Sequence, residues 1–261
     1  MQQRILETYI NRTDYVKACD RIQALAQSRQ SSYIVAANVH VVMLAYWQSD
    51  YKYILDRAAL VTPDGMPLVW GIQLLGFTKQ SRVYGPDLML AWCERAARNG
   101  LPIYLYGGTA NTLESLSKKL QNKFPALQIA GMHSPPFRPL TLKEEAADAD
   151  RINRSKAAVV LVGLGCPKQE QWMYRQFGQI DAVMIGVGAA FRFCSGEVDQ
   201  APRWIMKMGL EWAFRLIKEP RRLWQRYVLT NPAFVVLFSL QLIEQYLSSL
   251  LKFATRPLTR I

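Results

Sequence analysis

The chain has only two histidines, His40 and His133, and four cysteines, Cys19, Cys93, Cys166 and Cys194, scattered through 261 residues. No CxxC pair or Cys/His ligand spacing occurs, which gives no zinc signal and fits reduced thiols in a cytosolic compartment. A GxSxG nucleophile elbow is missing, as is the P-loop pattern GxxxxGK[ST]. No eighteen consecutive apolar residues occur, so no membrane span is expected. The opening Met1-Gln2-Gln3-Arg4-Ile5-Leu6-Glu7 lacks the apolar centre of a secretory signal, so none is expected. Internal repeats and low-complexity segments are also missing.

Half of the residues are hydrophobic and 20% are charged, the balance of a globular chain long enough for a substantial core. The net charge of +12 calls for an anionic partner, whether nucleic acid, acidic lipid or phosphorylated substrate. From Arg203 onward there are ten bases (Arg203, Lys207, Arg215, Lys218, Arg221, Arg222, Arg226, Lys252, Arg256, Arg260) against three acids, a net of +7. More than half of the excess therefore lies in the last quarter.

Short β-rich runs ending in small residues recur at 32–38, 59–62, 102–108, 157–163 and 181–188, with a weaker one at 127–131. Helical stretches are expected at 14–30, where Asp14 is a plausible cap, and at 87–99, 109–124, 142–156 and 167–177. Continuous apolar strands alternating with helices imply a mostly parallel, Rossmann-like α/β sheet covered on both faces. The alternation stops near Cys194, which divides the chain into an α/β core over 1–194 and a basic, aromatic helical appendage over 195–261. The proline-rich 134–139 reads as a loop.

Thr62-Pro63-Asp64-Gly65-Met66-Pro67 follows one apolar run and precedes another, which places a carboxylate on a turn at a strand's carboxyl end. Ligands of open α/β sheets bind there. The same tripeptide is also a common turn, since Pro presets φ, Asp bonds nearby backbone and Gly accepts φ > 0. Three glycine turns follow strands: Gly107-Gly108-Thr109, Gly163-Leu164-Gly165-Cys166-Pro167-Lys168 and Gly186-Val187-Gly188-Ala189-Ala190. Each serves equally as tight geometry or as a phosphate cradle at a helix N-terminus. Lys168 and Phe191 stand where the last glycine of a dinucleotide fingerprint belongs, which disfavours an NAD-type oxidoreductase. Lys168 suits a phosphate and Gln169 a sugar or base, though both also suit an exposed first helical turn. Asp148-Ala149-Asp150 spells a DxD pattern but sits in an alanine-rich helix and reads as a solvated face; no metal or other cofactor is expected. His40, just after the strand end at Asn38, is a candidate for the crevice wall, with a helix-start residue the plainer reading.

In the last quarter Trp204, Trp212, Phe214, Trp224 and Tyr227 interleave with the bases, and an apolar stretch interrupted by Gln241, Glu244 and Gln245 follows a break at Asn231-Pro232. This suits a helix lying on an anionic bilayer. A cationic hairpin packed on its own domain or another subunit is the plain alternative, and a homo-oligomer stays open. Single-stranded nucleic acid also fits such interleaving, but no RRM or OB pattern accompanies it.

Taken together, Thr62-Pro-Asp-Gly-Met-Pro67, Arg82-Val-Tyr-Gly-Pro-Asp87, Tyr106-Gly-Gly-Thr109, Gly163-Leu-Gly-Cys-Pro-Lys-Gln-Glu170, Gly186-Val-Gly-Ala-Ala-Phe191, Arg203-Trp-Ile205 and Leu210-Glu-Trp-Ala-Phe-Arg-Leu-Ile-Lys-Glu-Pro-Arg-Arg222 resemble the WecG/TagA/CpsF family of bacterial glycosyltransferases, glycosyltransferase family 26, in order and spacing. The resemblance implies an inverting, metal-independent hexosyltransferase, peripheral on the cytoplasmic face of the plasma membrane. It implies transfer of N-acetylmannosamine from a UDP-sugar to the 4-OH of N-acetylglucosamine on a polyprenyl diphosphate, for a cell-surface polysaccharide. By position it implies Asp64 as catalytic base, Arg82 as a crevice arginine, Gln169 as a donor-side contact, Asn38 near the substrate and arginines supplied by the basic appendage. With the strand-end turns, the candidate substrate contacts are Asn38, Thr62, Arg82, Gly107, Gly108, Lys168, Gln169, Gly186, Arg203, Arg215, Arg221, Arg222 and Arg226. The family commonly carries Thr-Ala-Asn where this chain has Ala36-Ala37-Asn38, so the transferred hexose is open. A glucosyl- or other hexosyltransferase of exopolysaccharide assembly is the alternative, and a basic nucleic-acid-binding α/β protein the reading from another class.

Overall fold

A computed structural model describes residues 1–254, with side chains through residue 248. Arg256 and Arg260, and the side chain of Lys252, lie outside the described residues. The chain opens with an antiparallel hairpin, β1 (Gln2–Ile5) and β2 (Thr8–Asn11). Helix α1 (Tyr15–Gln27) follows, capped by the Asp14 carboxylate, which accepts the Lys17 N–H at 2.9 Å. The central sheet comprises β3 (Ser32–Ala37), β4 (Leu60–Pro63), β5 (Ile103–Gly107), β6 (Ile129–His133), β7 (Val159–Gly163) and β8 (Val183–Gly186). All are parallel, in the order β4-β3-β8-β7-β5-β6. This is the Rossmann-like arrangement read from the alternation of apolar runs and helices.

Successive strand residues feed opposite faces, as a period of two requires. Tyr33, Val35, Val160, Val162 and Met184 join a core with α2 (Val39–Trp47), α3 (Ser49–Asp56), α4 (Met66–Leu74), α7 (Leu142–Arg154) and α8 (Lys168–Arg175). Ile34, Leu105, Leu161 and Ile185 join the other, with α1, α5 (Gly85–Asn99), α6 (Ala110–Lys123) and α9 (Ala190–Ser195). With both faces covered, the free ends of the sheet are its strand termini, and the carboxyl ends gather the small-residue turns.

After α9 come α10 (Arg203–Lys207), α11 (Glu211–Lys218) and α12 (Pro220–Ala254). The sequence places a break at Asn231-Pro232, but α12 runs through it. Pro232 removes one helical donor. Packing on either side holds the helix together: Phe234 and Phe238 stack at 5.5 Å and are buried with Ile5, Val42 and Leu68. A Cβ on Gly71 would meet the Phe238 ring at 3.0 Å, so this glycine admits α12 to the surface of α4. Gln241 Oε1 accepts the Leu6 N–H at 2.7 Å and ties α12 to the hairpin. Because the helix is unbroken, residues 220–248 are, by length and composition alone, long and apolar enough to cross a bilayer, although no uninterrupted apolar run of eighteen residues marks them in the sequence.

Two local readings change. Asp148 is not on a solvated face: it is 5% exposed and accepts from Tyr106 Oη at 2.7 Å, with His133 Nε2 and Arg151 Nη1 each at 3.2 Å, while Asp150 is exposed. The helix places the two acids on different sides, and Tyr106 from the sheet reaches only the inner one. Gly65 has φ −84°, so its turn does not require a left-handed residue. A Cβ there would lie 3.2 Å from Asn38 Cα, and close approach is the reason for glycine.

Candidate active site

The carboxyl ends of β3, β4, β5, β7 and β8 open into one cleft of about 930 Å³, closed over by the loop before α7 and by α11 and the start of α12. Its position at the strand termini follows from the small residues there, Ala36, Gly108, Gly163 and Gly186, which leave room for a ligand beside the backbone.

Asp64 projects into this cleft from the turn after β4. Its own N–H donates to Ala37 O at 2.8 Å, which fixes the turn to the end of β3. Oδ1 accepts the Gly85 N–H at 2.6 Å at the start of α5. Burial raises its pKa to about 6; the Arg82 charge pulls the other way and Glu211 adds to the rise. A carboxylate so placed is largely ionised at neutral pH yet far more basic than a solvated one, the condition for a general base.

Asn38 also lines the cleft. Its Oδ1 caps α2 by accepting the His40 and Val41 N–H groups at 3.1 and 3.3 Å, and accepts Arg226 Nη2 at 3.2 Å. Gly108, Lys168, Gln169, Gly186, Arg215, Arg222 and Arg226 are in the same wall. Lys168 is exposed, whereas Gln169 is 4% exposed and donates Nε2 to Glu170 at 2.7 Å, so the exposed polar turn expected there begins and ends with Lys168. Among the described residues, Gln169 Oε1, Arg215 Nε, Arg226 Nε and His40 Nδ1 are buried with no hydrogen-bond partner. Such groups cost about 1–3 kcal/mol each when left unpaired, so their convergence on one cleft marks a polar binding site.

Five of the residues singled out in the sequence do not line the cleft. Thr62 is fully buried in β4, paired with Ala36 across the ladder. Gly107 is packed: a Cβ would meet the Gly163 backbone at 2.8 Å and its φ is +112°, so its role is to let β5 and β7 end side by side. Arg82 lies behind Asp64, bonding its backbone carbonyl through Nε. Arg203 forks onto Asp87 at 2.7 and 3.0 Å, and Arg221 is exposed on the outer side of α12.

The structure adds residues that the sequence did not mark. Tyr106 and Trp172 stack at 4.1 Å in the cleft wall, Arg192 reaches it from α9, and the proline-rich loop contributes Phe137 and Arg138. His40, already a crevice candidate in the sequence, stands in the first turn of α2 and lines the cleft, its pKa lowered to about 3 by burial and by Arg226. Glu211 enters from α11 and holds Arg82 Nη2 at 2.6 Å. No periodic signal marks these positions, since each depends on where a distant element lands.

Among the described residues no three His, Cys, Asp or Glu side chains gather into a metal-binding set. The cationic groups facing the cleft are Lys168, Arg138, Arg175, Arg192, Arg215, Arg222 and Arg226.

Comparison with known proteins matches residues 3–248 to the glycosyl transferase WecG/TagA/CpsF family. The chain is similar to an N-acetylglucosaminyldiphosphoundecaprenol N-acetyl-beta-D-mannosaminyltransferase of Bacillus spizizenii, 31% identical over 209 residues, covering 79% of this chain and 78% of the relative. A protein of the same description in Bacillus subtilis strain 168 is 32% identical over 195 residues, covering 74% and 73%.

Proposed function

The chain belongs to the glycosyl transferase WecG/TagA/CpsF family and is a hexosyltransferase, and from that premise we propose that it moves N-acetylmannosamine from a UDP-sugar to the 4-OH of a polyprenyl-diphosphate-linked N-acetylglucosamine, with inversion and without a metal ion. The observation that carries the reading is Asp64 itself: a carboxylate made basic by burial, in a cleft that also presents Arg215, Arg222 and Arg226.

Asp64 takes the proton from the acceptor hydroxyl as that oxygen attacks the anomeric carbon. Oδ1 is occupied by the Gly85 N–H, so Oδ2 receives the proton. The bond to the nucleotide diphosphate breaks on the opposite side of the carbon, and a single displacement of this kind inverts the anomeric centre. Negative charge accumulates on the departing diphosphate, where Arg215, Arg222 and Arg226 offer donors from the cleft wall. Gln169 Oε1, buried and unpaired, suits an N–H or O–H of the nucleotide sugar.

The acceptor is lipid-borne, and the arginines that complete the cleft come from the segment that also carries Trp204, Trp212 and Trp224, all substantially exposed. The protein docks peripherally on the cytoplasmic face of the plasma membrane through this aromatic, basic surface, and α12 lies along the bilayer while Phe234 and Phe238 anchor it to the core.

A panel of UDP-sugars with a synthetic diphospholipid-linked N-acetylglucosamine, with and without EDTA, tests this. Turnover of UDP-N-acetylmannosamine, unaffected by EDTA, is the expected result. Loss of turnover with EDTA contradicts the metal-free account. Preference for another hexose contradicts the donor assignment and points to Ala36, which lines the cleft.

A further inference from the structure

We propose that Glu211 is a positioning residue for the base: by taking up the charge and the donors of Arg82, it keeps Asp64 unpaired and basic. This rests on the reading of Asp64 as the general base.

Arg82 is the nearest strong partner available to Asp64. Its Nε is bonded to the Asp64 backbone carbonyl, so the guanidinium is fixed beside the side chain it would be expected to pair with. Among the described residues its ion pair is instead with Glu211, 129 positions away, at 2.6 Å between Nη2 and Oε2. The other Glu211 oxygen accepts the Tyr84 hydroxyl at 2.8 Å, and the Arg82 guanidinium lies over the Tyr84 ring at 4.1 Å. Three contacts thus hold the guanidinium, and the Tyr84 hydroxyl holds Glu211 in place, while no ion pair joins Arg82 to the Asp64 carboxylate among the described residues. The pair is well enclosed, with side-chain exposures of 16% and 11%, so solvent does little to weaken its charges.

The groups that face Asp64 are Arg82, Glu211 and Arg215, with Tyr15 and Tyr84 behind them. Removing the Glu211 charge acts on Asp64 in one direction by two routes. A negative neighbour that disfavours ionisation is lost, and a buried arginine is left uncompensated with Asp64 as the adjacent anion. Asp64 then becomes an ion-paired carboxylate of low basicity. Glu211 is carried by α11, so the base is set up only when the C-terminal helices are seated on the sheet.

The test is the pH dependence of kcat/KM for the full chain and for Glu211→Gln, Glu211→Asp and Asp64→Asn, with thermal melting to establish folding. The wild-type acid limb falls near pH 6. In Glu211→Gln it moves down by about one unit or more, and the plateau drops about tenfold. Glu211→Asp keeps the charge but cannot span Tyr84 and Arg82 together, so its limb lies between the two. A folded Glu211→Gln enzyme whose limb stays at the wild-type pH overturns the proposal, whatever its rate, because a merely structural staple lowers rate without moving the limb. Should Glu211→Gln fail to fold, the Glu211→Asp limb decides: at the wild-type pH it likewise overturns the proposal. Full activity of Asp64→Asn defeats the underlying reading, whereas an inactive Asp64→Asn with an unmoved Glu211→Gln limb defeats this inference alone.

Discussion

Arg226 and Asn38 meet at 3.2 Å although 188 positions separate them in the chain. The same Asn38 oxygen ends β3, caps α2 and receives the arginine of α12, so it joins the sheet's ligand-binding edge to the C-terminal helix. In the proposed reaction, replacing Arg226 by Ala removes a cleft-lining donor available to the developing diphosphate charge. Transfer should fall about 10–100-fold, the equivalent of one charge-assisted hydrogen bond, with little change in melting temperature. Arg226→Lys keeps the charge but loses the fork and should recover only part of the rate. Steady-state kinetics with the lipid-linked acceptor measure both.

Asp64 costs the fold stability in its ionised form. Its folded pKa, about 6, lies above the ordinary 3.8, so the folded state binds its proton more tightly than the unfolded chain does. Protonation therefore stabilises the fold as pH falls from about 6 toward 3.8, and the penalty is fully present above 6. Asp64→Asn keeps an oxygen for the Gly85 N–H and removes the charge. It should raise stability by about 3 kcal/mol at pH 8 and by nearly nothing at pH 3.5, read from chemical denaturation at the two pH values.

The sheet was legible because apolar runs ending in small residues have few alternatives, and so was the place of Asp64 on a strand-end turn, because apolar runs flank it on both sides. What the sequence concealed depended on long-range packing. Asp148 looked solvated until Tyr106 of β5 reached it, and Glu211 looked like one acid in a basic tail until α11 set it against Arg82. The hairpin of residues 2–11 carried no strong alternation, and its place follows from Ile5 and Ile10 entering the core. Pro232 suggested a stop, but the burial of Phe234 and Phe238 beyond it outweighs one missing donor. Arg82 and Thr62 were picked by motif and lie one layer behind the cleft, a distinction that linear spacing does not encode.

Trp204 and Trp224 are 63% and 51% exposed and belong to no site within the chain's core clusters. Replacing both by Ser should weaken sedimentation with anionic phospholipid vesicles several-fold. Turnover of a water-soluble, short-chain diphosphate acceptor should stay within about twofold of wild type, since neither side chain is part of the cleft. Unchanged vesicle binding contradicts the docking surface assigned to these helices.

The most direct measurement is the transfer rate of Asp64→Asn with UDP-N-acetylmannosamine and the diphospholipid-linked N-acetylglucosamine, at pH 7.5 and saturating substrate. Loss of a positioned base predicts a fall of about 10²–10⁴ in kcat with the fold and nucleotide binding intact. A folded Asp64→Asn enzyme that turns over at the wild-type rate contradicts the account.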